Sequence, residues 1–169
     1  RDAGWQLSAT MAHPLNWPKL DKEKQKVVSG YAILQPRVSV SLRREKYSLY
    51  SKIHGNEAGI DPYTRLTSDV YQDLFKEGSF IGKGIYDIDA FAAVNNTRFP
   101  ENRILSHDLL EGCFGRSGLV SDIQLYEEYP LSYSVDVNRR HRWIRGDWQI
   151  AIWAFPFSPG PSGKLGKNP

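Results

Sequence analysis

The chain has 169 residues, the length of one domain rather than two. Hydrophobic residues make up 40% and charged residues 24%, ordinary globular values that exclude a disordered or collagenous chain. The net charge of +3 is too balanced to make nucleic acid the default partner, and a single cysteine, Cys113, excludes a disulfide framework or a cysteine-rich zinc site.

Nine Tyr, seven Phe and five Trp supply flat side chains for a core and for a binding surface. No stretch approaches the ~20 apolar residues of a membrane span, and no signal-peptide pattern is visible. The sequence starts at Arg1 rather than Met, so the chain is expected to be a piece of something longer.

Residues 1–26 place Trp5, Met11, Leu15 and Trp17 around His13-Pro14 and Trp17-Pro18. Each proline pushes its predecessor out of helix, so an extended segment is expected. Lys22 to Lys26 reads as a solvated turn. Residues 27–42 are rich in β-favouring side chains and read as a strand, with Pro36 marking an edge or a break. Residues 43–62 read as a long loop with a short helix near Tyr47 to Ile53.

Val70, Leu74 and Phe75 have helical spacing, with Ser68 or Asp69 as cap. Gly78, Gly82 and Gly84 then predict a tight strand or turn where backbones approach closely. Asp87 can cap a short helix over 88–94, and Ser106 one over 108–116 that Gly118 ends. Leu119 to Tyr126 reads as a strand and 135–154 as the longest helix. Residues 156–169, rich in Pro, Gly, Ser and Lys, read as a flexible tail. Strands alternating with helices point to an α/β domain.

Three groups of residues carry possible chemistry. Asp108 and Glu111 sit on the first turn of a predicted helix, near the positive end of its dipole. Asp108 there suits a general base at a pocket wall, but these residues taken alone favour ordinary capping and dipole complementarity. Asp87 and Asp89 form an Asp-x-Asp pair, which can hold a divalent ion or simply start a helix. Gly82-Lys83-Gly84 just upstream adds a cation but no phosphate-binding glycine motif.

Residues 139–149 hold four Arg, one His and two Trp. Arg139, Arg140 and Arg142 with Trp143 suit an anion site with aromatic platforms, a nucleic-acid helix, or a solvated basic face whose Trp side chains anchor in the core. The four His are dispersed, so a zinc site is not expected, and Cys113 reads as a small core residue.

The order of these signals is more informative than any one. A strand with Gln35-Pro36-Arg37, a Gly-rich turn, an acidic helix start at His107-Asp108 and Arg139-x-x-Arg142-Trp143 follow each other. That order resembles the C-terminal half of the catalytic domain in processive inverting glycosyltransferases of the cellulose synthase and hyaluronan synthase type. The strings at 59–64, 69–75, 78–91, 99–112 and 139–149 are closer still to the cyclic β-1,2-glucan synthase family, over about residues 4–153.

This resemblance implies a partial glycosyltransferase domain over 1–155, the acceptor and catalytic-base half, followed by the tail. It implies part of a GT-A-type fold, a mixed sheet flanked by helices. By the same resemblance Asp108 matches the motif acid that deprotonates the acceptor hydroxyl. Arg139, Arg142 and Trp143 match the motif that holds the diphosphate and frames the acceptor, with Arg140 and Glu111 as secondary candidates. Gly82 and Gly84 fall where related synthases contact the acceptor sugar, and Asp87 and Asp89, inside a matching string but not the family's metal-binding Asp-x-Asp, are further acceptor-binding candidates.

The implied donor is UDP-glucose, the acceptor a β-1,2-glucan chain, and the cofactor a divalent metal (Mg or Mn) whose main ligands lie outside this chain. The implied partners are the rest of the synthase chain and, through open sheet edges, a second copy. The implied setting is the cytoplasmic portion of a bacterial inner-membrane protein, and the 169 residues alone are expected to be inert. The alternatives are a nucleic-acid-binding or non-catalytic interaction module, and a glycoside hydrolase using Asp108 with Glu111. Residues three apart on one helix rarely face each other across a sugar, which counts against the hydrolase.

Overall fold

The computed structural model describes residues 2–41, 48–54, 70–96, 98–105 and 107–168. The chain opens with helix α1 (Ala3–Ala12), where an extended segment is expected. The two X-Pro steps act only downstream of it. His13 turns extended ahead of Pro14 and ends α1, and a single 3-10 turn (Pro14–Asn16) leads to Trp17, extended ahead of Pro18. Strands β1 (Lys19–Asp21) and β2 (Lys26–Ser29) then pair as an antiparallel hairpin around the charged turn.

The expected strand over 27–42 is two strands. Gly30, at φ +67°, breaks it and β3 (Ile33–Val40) follows. Helix α2 (Leu49–His54) lies within the expected loop, and α3 (Val70–Phe75) matches the helix expected there. The capping expected of Ser68 or Asp69, like that of Ser106, lies outside the described residues.

Next come β4 (Ile85–Tyr86), α4 (Ile88–Asn95), α5 (Asp108–Gly115), β5 (Ser117–Glu127) and α6 (Tyr133–Ile150). A 3-10 turn extends α6 to Ala154. The segment expected as a tail contains a second hairpin, β6 (Phe157–Pro159) with β7 (Leu165–Lys167), closed by an Asn168 N–H bond to the Pro156 carbonyl.

The sheet that organises the molecule has three strands in the order β4-β3-β5. β3 runs antiparallel to β4 and parallel to β5, so the sheet is mixed, as expected. Pro36 does not make β3 an edge. Its missing N–H falls where the register with β5 shifts, from Pro36 opposite Val120 to Arg37 opposite Gln124, so β5 absorbs the irregularity. α5 ends at Arg116, in the left-handed region at φ 54°, and Gly118 lies inside β5 rather than ending the helix.

Three small cores hold these layers. Val27, Ala32, Ala90, Val94 and Phe114 join β2 and the residue ahead of β3 to α4 and α5. Leu7, Leu34 and Ile123 pack α1 onto the sheet. Leu110, Ile150 and Trp153 join α5 to the end of α6. Cys113 is exposed rather than a core residue. No helix among the described residues is long and apolar enough to cross a membrane.

A side chain at Gly30 would meet backbone at very close range. A Cβ there would lie 2.0 Å from the Trp17 carbonyl oxygen, and the backbone is left-handed as well. Gly30→Ala is expected to cost roughly 2–4 kcal/mol and lower the melting temperature by roughly 5–15 °C. Gly4→Ala, in α1 with nothing within 4 Å of the new methyl, is expected to leave it unchanged or raise it. Thermal melts of the two variants check both.

Candidate functional site

Parallel strands leave their carboxyl ends on one side of a sheet, where α/β proteins hold ligands. Here Val38 to Val40 of β3 and Glu127 of β5 open into a cavity of about 610 Å³. Its other walls are Phe80, Ile81 and Lys83, the start of α5 at Asp108, and the face of α6 carrying Arg139, Arg140 and Trp143. Residues 31 apart in sequence, Asp108 and Arg139, thus line one space.

The segment before β4 reaches this position through Gln35. That side chain is only 1% exposed. Its Nε2 donates to the Ser79 carbonyl at 3.1 Å, and its Oε1 accepts from the Ile81 N–H at 2.7 Å. A buried amide with both ends paired mimics a strand partner and satisfies its own polarity. Gly84 then crosses the sheet so closely that a Cβ would lie 2.4 Å from the Leu34 carbonyl oxygen. Gly82, at φ +82°, lies against the Asp108 carboxylate, where a Cβ would sit 2.7 Å from Oδ2. Only glycine combines that backbone with that proximity.

Asp108 is the first residue of α5, so its carboxylate sits at the positive end of the helix. Glu111, one turn on, is engaged elsewhere. Its Oε1 pairs with His107 Nδ1 at 2.9 Å, and it does not line the cavity. Asp87 and Asp89 are not brought to the cavity either. Asp87 Oδ1 accepts from the Ala90 N–H at 2.9 Å and caps α4, while Asp89 is exposed on the first turn of that helix. α4 packs Ala90 and Val94 into the core with Val27 and Phe114, and its acids lie off that face without reaching the cavity.

α6 contributes through a network that reading the sequence missed. Asp136 has a side chain only 2% exposed, yet both oxygens are bonded. Arg139 Nη2 donates to Oδ1 at 2.9 Å. Arg140 Nε and the Tyr50 hydroxyl donate to Oδ2 at 2.9 and 2.8 Å, with the Tyr129 hydroxyl more distant at 3.5 Å. The Arg139 guanidinium lies 4.7 Å from the Trp143 ring centre and 5.7 Å from that of Tyr129. Its Nε is buried with no hydrogen-bond partner among the described residues. The legible signal was spacing: an acid three and four residues ahead of two arginines on one helix can meet both.

Burial disfavours the Asp136 carboxylate and is the largest single influence on it. The hydrogen bonds from Tyr50, Arg140 and Arg139 and the Arg140 charge together outweigh burial and hold the group below the usual carboxylate range. The hydrogen bond to Asp136 is also the main cause that pushes Tyr50 up to about 12.

Arg142 lies outside the main cavity. It lines an adjoining groove with Tyr126 and with Lys83, Glu127, Glu128, Arg139 and Trp143, which both spaces share. Lys83 forms an ion pair with Glu127 across the shared edge. Trp143 is 37% exposed and Trp148 78%, so neither anchors in the core as the solvated-face alternative requires; Trp153, in the turn beyond α6, does. The charges lining the main cavity are mixed: Lys83, Arg139 and Arg140 against Asp108, Glu127, Glu128 and Asp147. Among the described residues no group of three or more His, Cys, Asp or Glu is placed to hold a metal ion.

No family model matches the chain. Over 156 residues it is 49% identical to cyclic beta-(1,2)-glucan synthase NdvB of Rhizobium meliloti (strain 1021). The match covers 92% of this chain and 6% of that protein, so the chain spans a small part of the length of the curated relative it matches.

The Asp136 network sets a pH dependence at each end. A depressed carboxyl stabilises the fold above its unfolded value near 3.8, and that contribution is lost as pH falls through the folded value. A raised phenol stabilises it below its unfolded value of 10.0, and that contribution is lost as pH rises toward 12. Ultraviolet titration is expected to show late-ionising tyrosines, of which Tyr50→Phe removes the one near 12. Asp136→Asn is expected to flatten the acid limb of melting temperature against pH.

Proposed function

We propose that this chain is the acceptor-side, catalytic-base half of the glycosyltransferase region of a cyclic β-1,2-glucan synthase. In that enzyme it takes part in transferring glucose from UDP-glucose, with inversion, to a growing β-1,2-glucan. One observation carries the reading: Asp108 lines the same cavity as Arg139, Arg140 and Trp143, in a chain 49% identical to a cyclic beta-(1,2)-glucan synthase.

Inverting transfer is an in-line displacement at the anomeric carbon. The acceptor hydroxyl loses its proton as it attacks, and the departing diphosphate gains charge. Asp108 is the proton acceptor, and the Gly82 backbone against it limits where the acceptor oxygen can sit. The arginines oppose charge on the leaving group. Arg139 and Arg140 do so from the cavity wall, and Arg142 from the adjoining groove. Trp143, between the two spaces, covers the acceptor and keeps water from competing with it. The divalent metal and the uridine pocket belong to segments of the synthase outside these residues, and no step above depends on the metal. The rest of the synthase is also the partner for exposed apolar side chains such as Trp5, Leu15 and Trp17.

The mixed lining supports this reading over nucleic-acid binding. Four carboxylates among three cations suit a polyhydroxyl acceptor beside a charged leaving group, and repel a phosphate backbone.

UDP-glucose-dependent glucan synthesis by the full-length synthase tests the proposal. At matched protein level, Asp108→Asn is expected to lower synthesis by roughly 10²–10⁴. Near-normal synthesis would leave Asp108 as a helix-start acid and remove the catalytic anchor of the proposal.

A further inference from the structure

We propose that Asp136 is a positioning residue for this site, acting through Arg139 and Arg140; the inference rests on the synthase reading above. An acid on a helix surface meets basic residues three and four positions on only loosely, because long side chains in water keep their freedom. Asp136 is different in kind. It is buried, both its oxygens are bonded, and two of its donors come from outside α6: Tyr50 from α2 and Tyr129 from the segment ahead of α6. Tyr50 is 86 residues away in sequence. Three parts of the chain thus converge on one carboxylate.

The consequence for the cavity is geometric and electrostatic. Arg139 donates one Nη2 and Arg140 its Nε to Asp136, which fixes the plane of each guanidinium. Arg140 also donates through Nη2 to the Tyr129 hydroxyl at 3.4 Å. Arg139 is held from its other sides near the Tyr129 and Trp143 rings. One negative charge shared by two positive ones leaves the pair with a single net charge. It can oppose a developing anion without repelling itself out of register. Asp136 does not line the cavity, so it touches substrate only through these arginines.

Catalytic groups misplaced by about 1 Å lose on the order of 10²-fold in rate. In the full-length synthase, at matched folded protein, Asp136→Asn is expected to lower kcat/KM for UDP-glucose roughly 10–100-fold. The decisive readout is dependence on the arginines, measured by single-turnover transfer of radiolabelled glucose. In an Arg139→Ala/Arg140→Ala background the same substitution is expected to change kcat/KM by less than about twofold. A merely structural role would cost the same in both backgrounds, and that result overturns the proposal. So does Asp136→Asn activity within about twofold of wild type. If Asp136→Asn does not accumulate folded, Tyr50→Phe removes one hydrogen bond to the same carboxylate and must show the same dependence. Equal losses in both backgrounds overturn the proposal there too. Wild-type activity of Asp108→Asn would instead overturn the synthase reading. Loss in Asp108→Asn with none in Asp136→Asn overturns only the positioning role.

Discussion

The backbone of residue 82 passes so close to the Asp108 carboxylate that a single methyl group between them would overlap Oδ2. The layout of the cavity follows from that approach. To bring Gly82 there, the segment ahead of β4 must lie flat over the sheet. Gln35 fastens it through two hydrogen bonds, and Gly84 lets it cross the Leu34 carbonyl. The helix that begins with Asp108 is anchored by Leu110 to Ile150 and Trp153 at the far end of α6. The same packing that seats the acid therefore also seats the arginine helix. β3, central in the sheet, carries both the Gln35 clamp and the cavity floor at Val38 to Val40.

Charge is arranged with the same economy of parts. Asp136 is buried with three close donors, and Lys83 faces Glu127. These pairings leave the cavity lined by groups of both signs rather than by a basic patch. Such a surface can bond sugar hydroxyls through carboxylates and guanidinium groups alike, while the Arg139 Nε remains without a hydrogen-bond partner among the described residues.

Much of this was legible in the sequence, for reasons that can be named. The helical period and the Arg-x-x-Arg-Trp string placed α6, and the glycines at 82 and 84 announced a close backbone approach that the structure contains. Asp87 was legible as a cap and is one. What failed did so where tertiary context outweighed a local rule. The X-Pro steps near residue 14 suggested extended chain, yet they only end α1. Pro36 suggested an edge or a break; the edge is not there, but the pairing does break at Pro36, where a register shift in β5 absorbs its missing donor in the centre of the sheet. Asp89 was expected at the site and lies on a helix aimed elsewhere, because the sequence does not show which way α4 faces. Asp136 was passed over because its burial depends on Tyr50, far away in sequence.

As the proposed base, Asp108 acts on the transfer step rather than on binding or folding. The most direct measurement is single-turnover glucose transfer by the full-length synthase, set beside equilibrium binding of UDP, in wild type and Asp108→Asn. With Asp108 as the acceptor's base, the transfer rate is expected to collapse while UDP affinity stays within about twofold, because that role involves the acceptor and not the nucleotide. Transfer at the wild-type rate, or rate and affinity falling together, would contradict it.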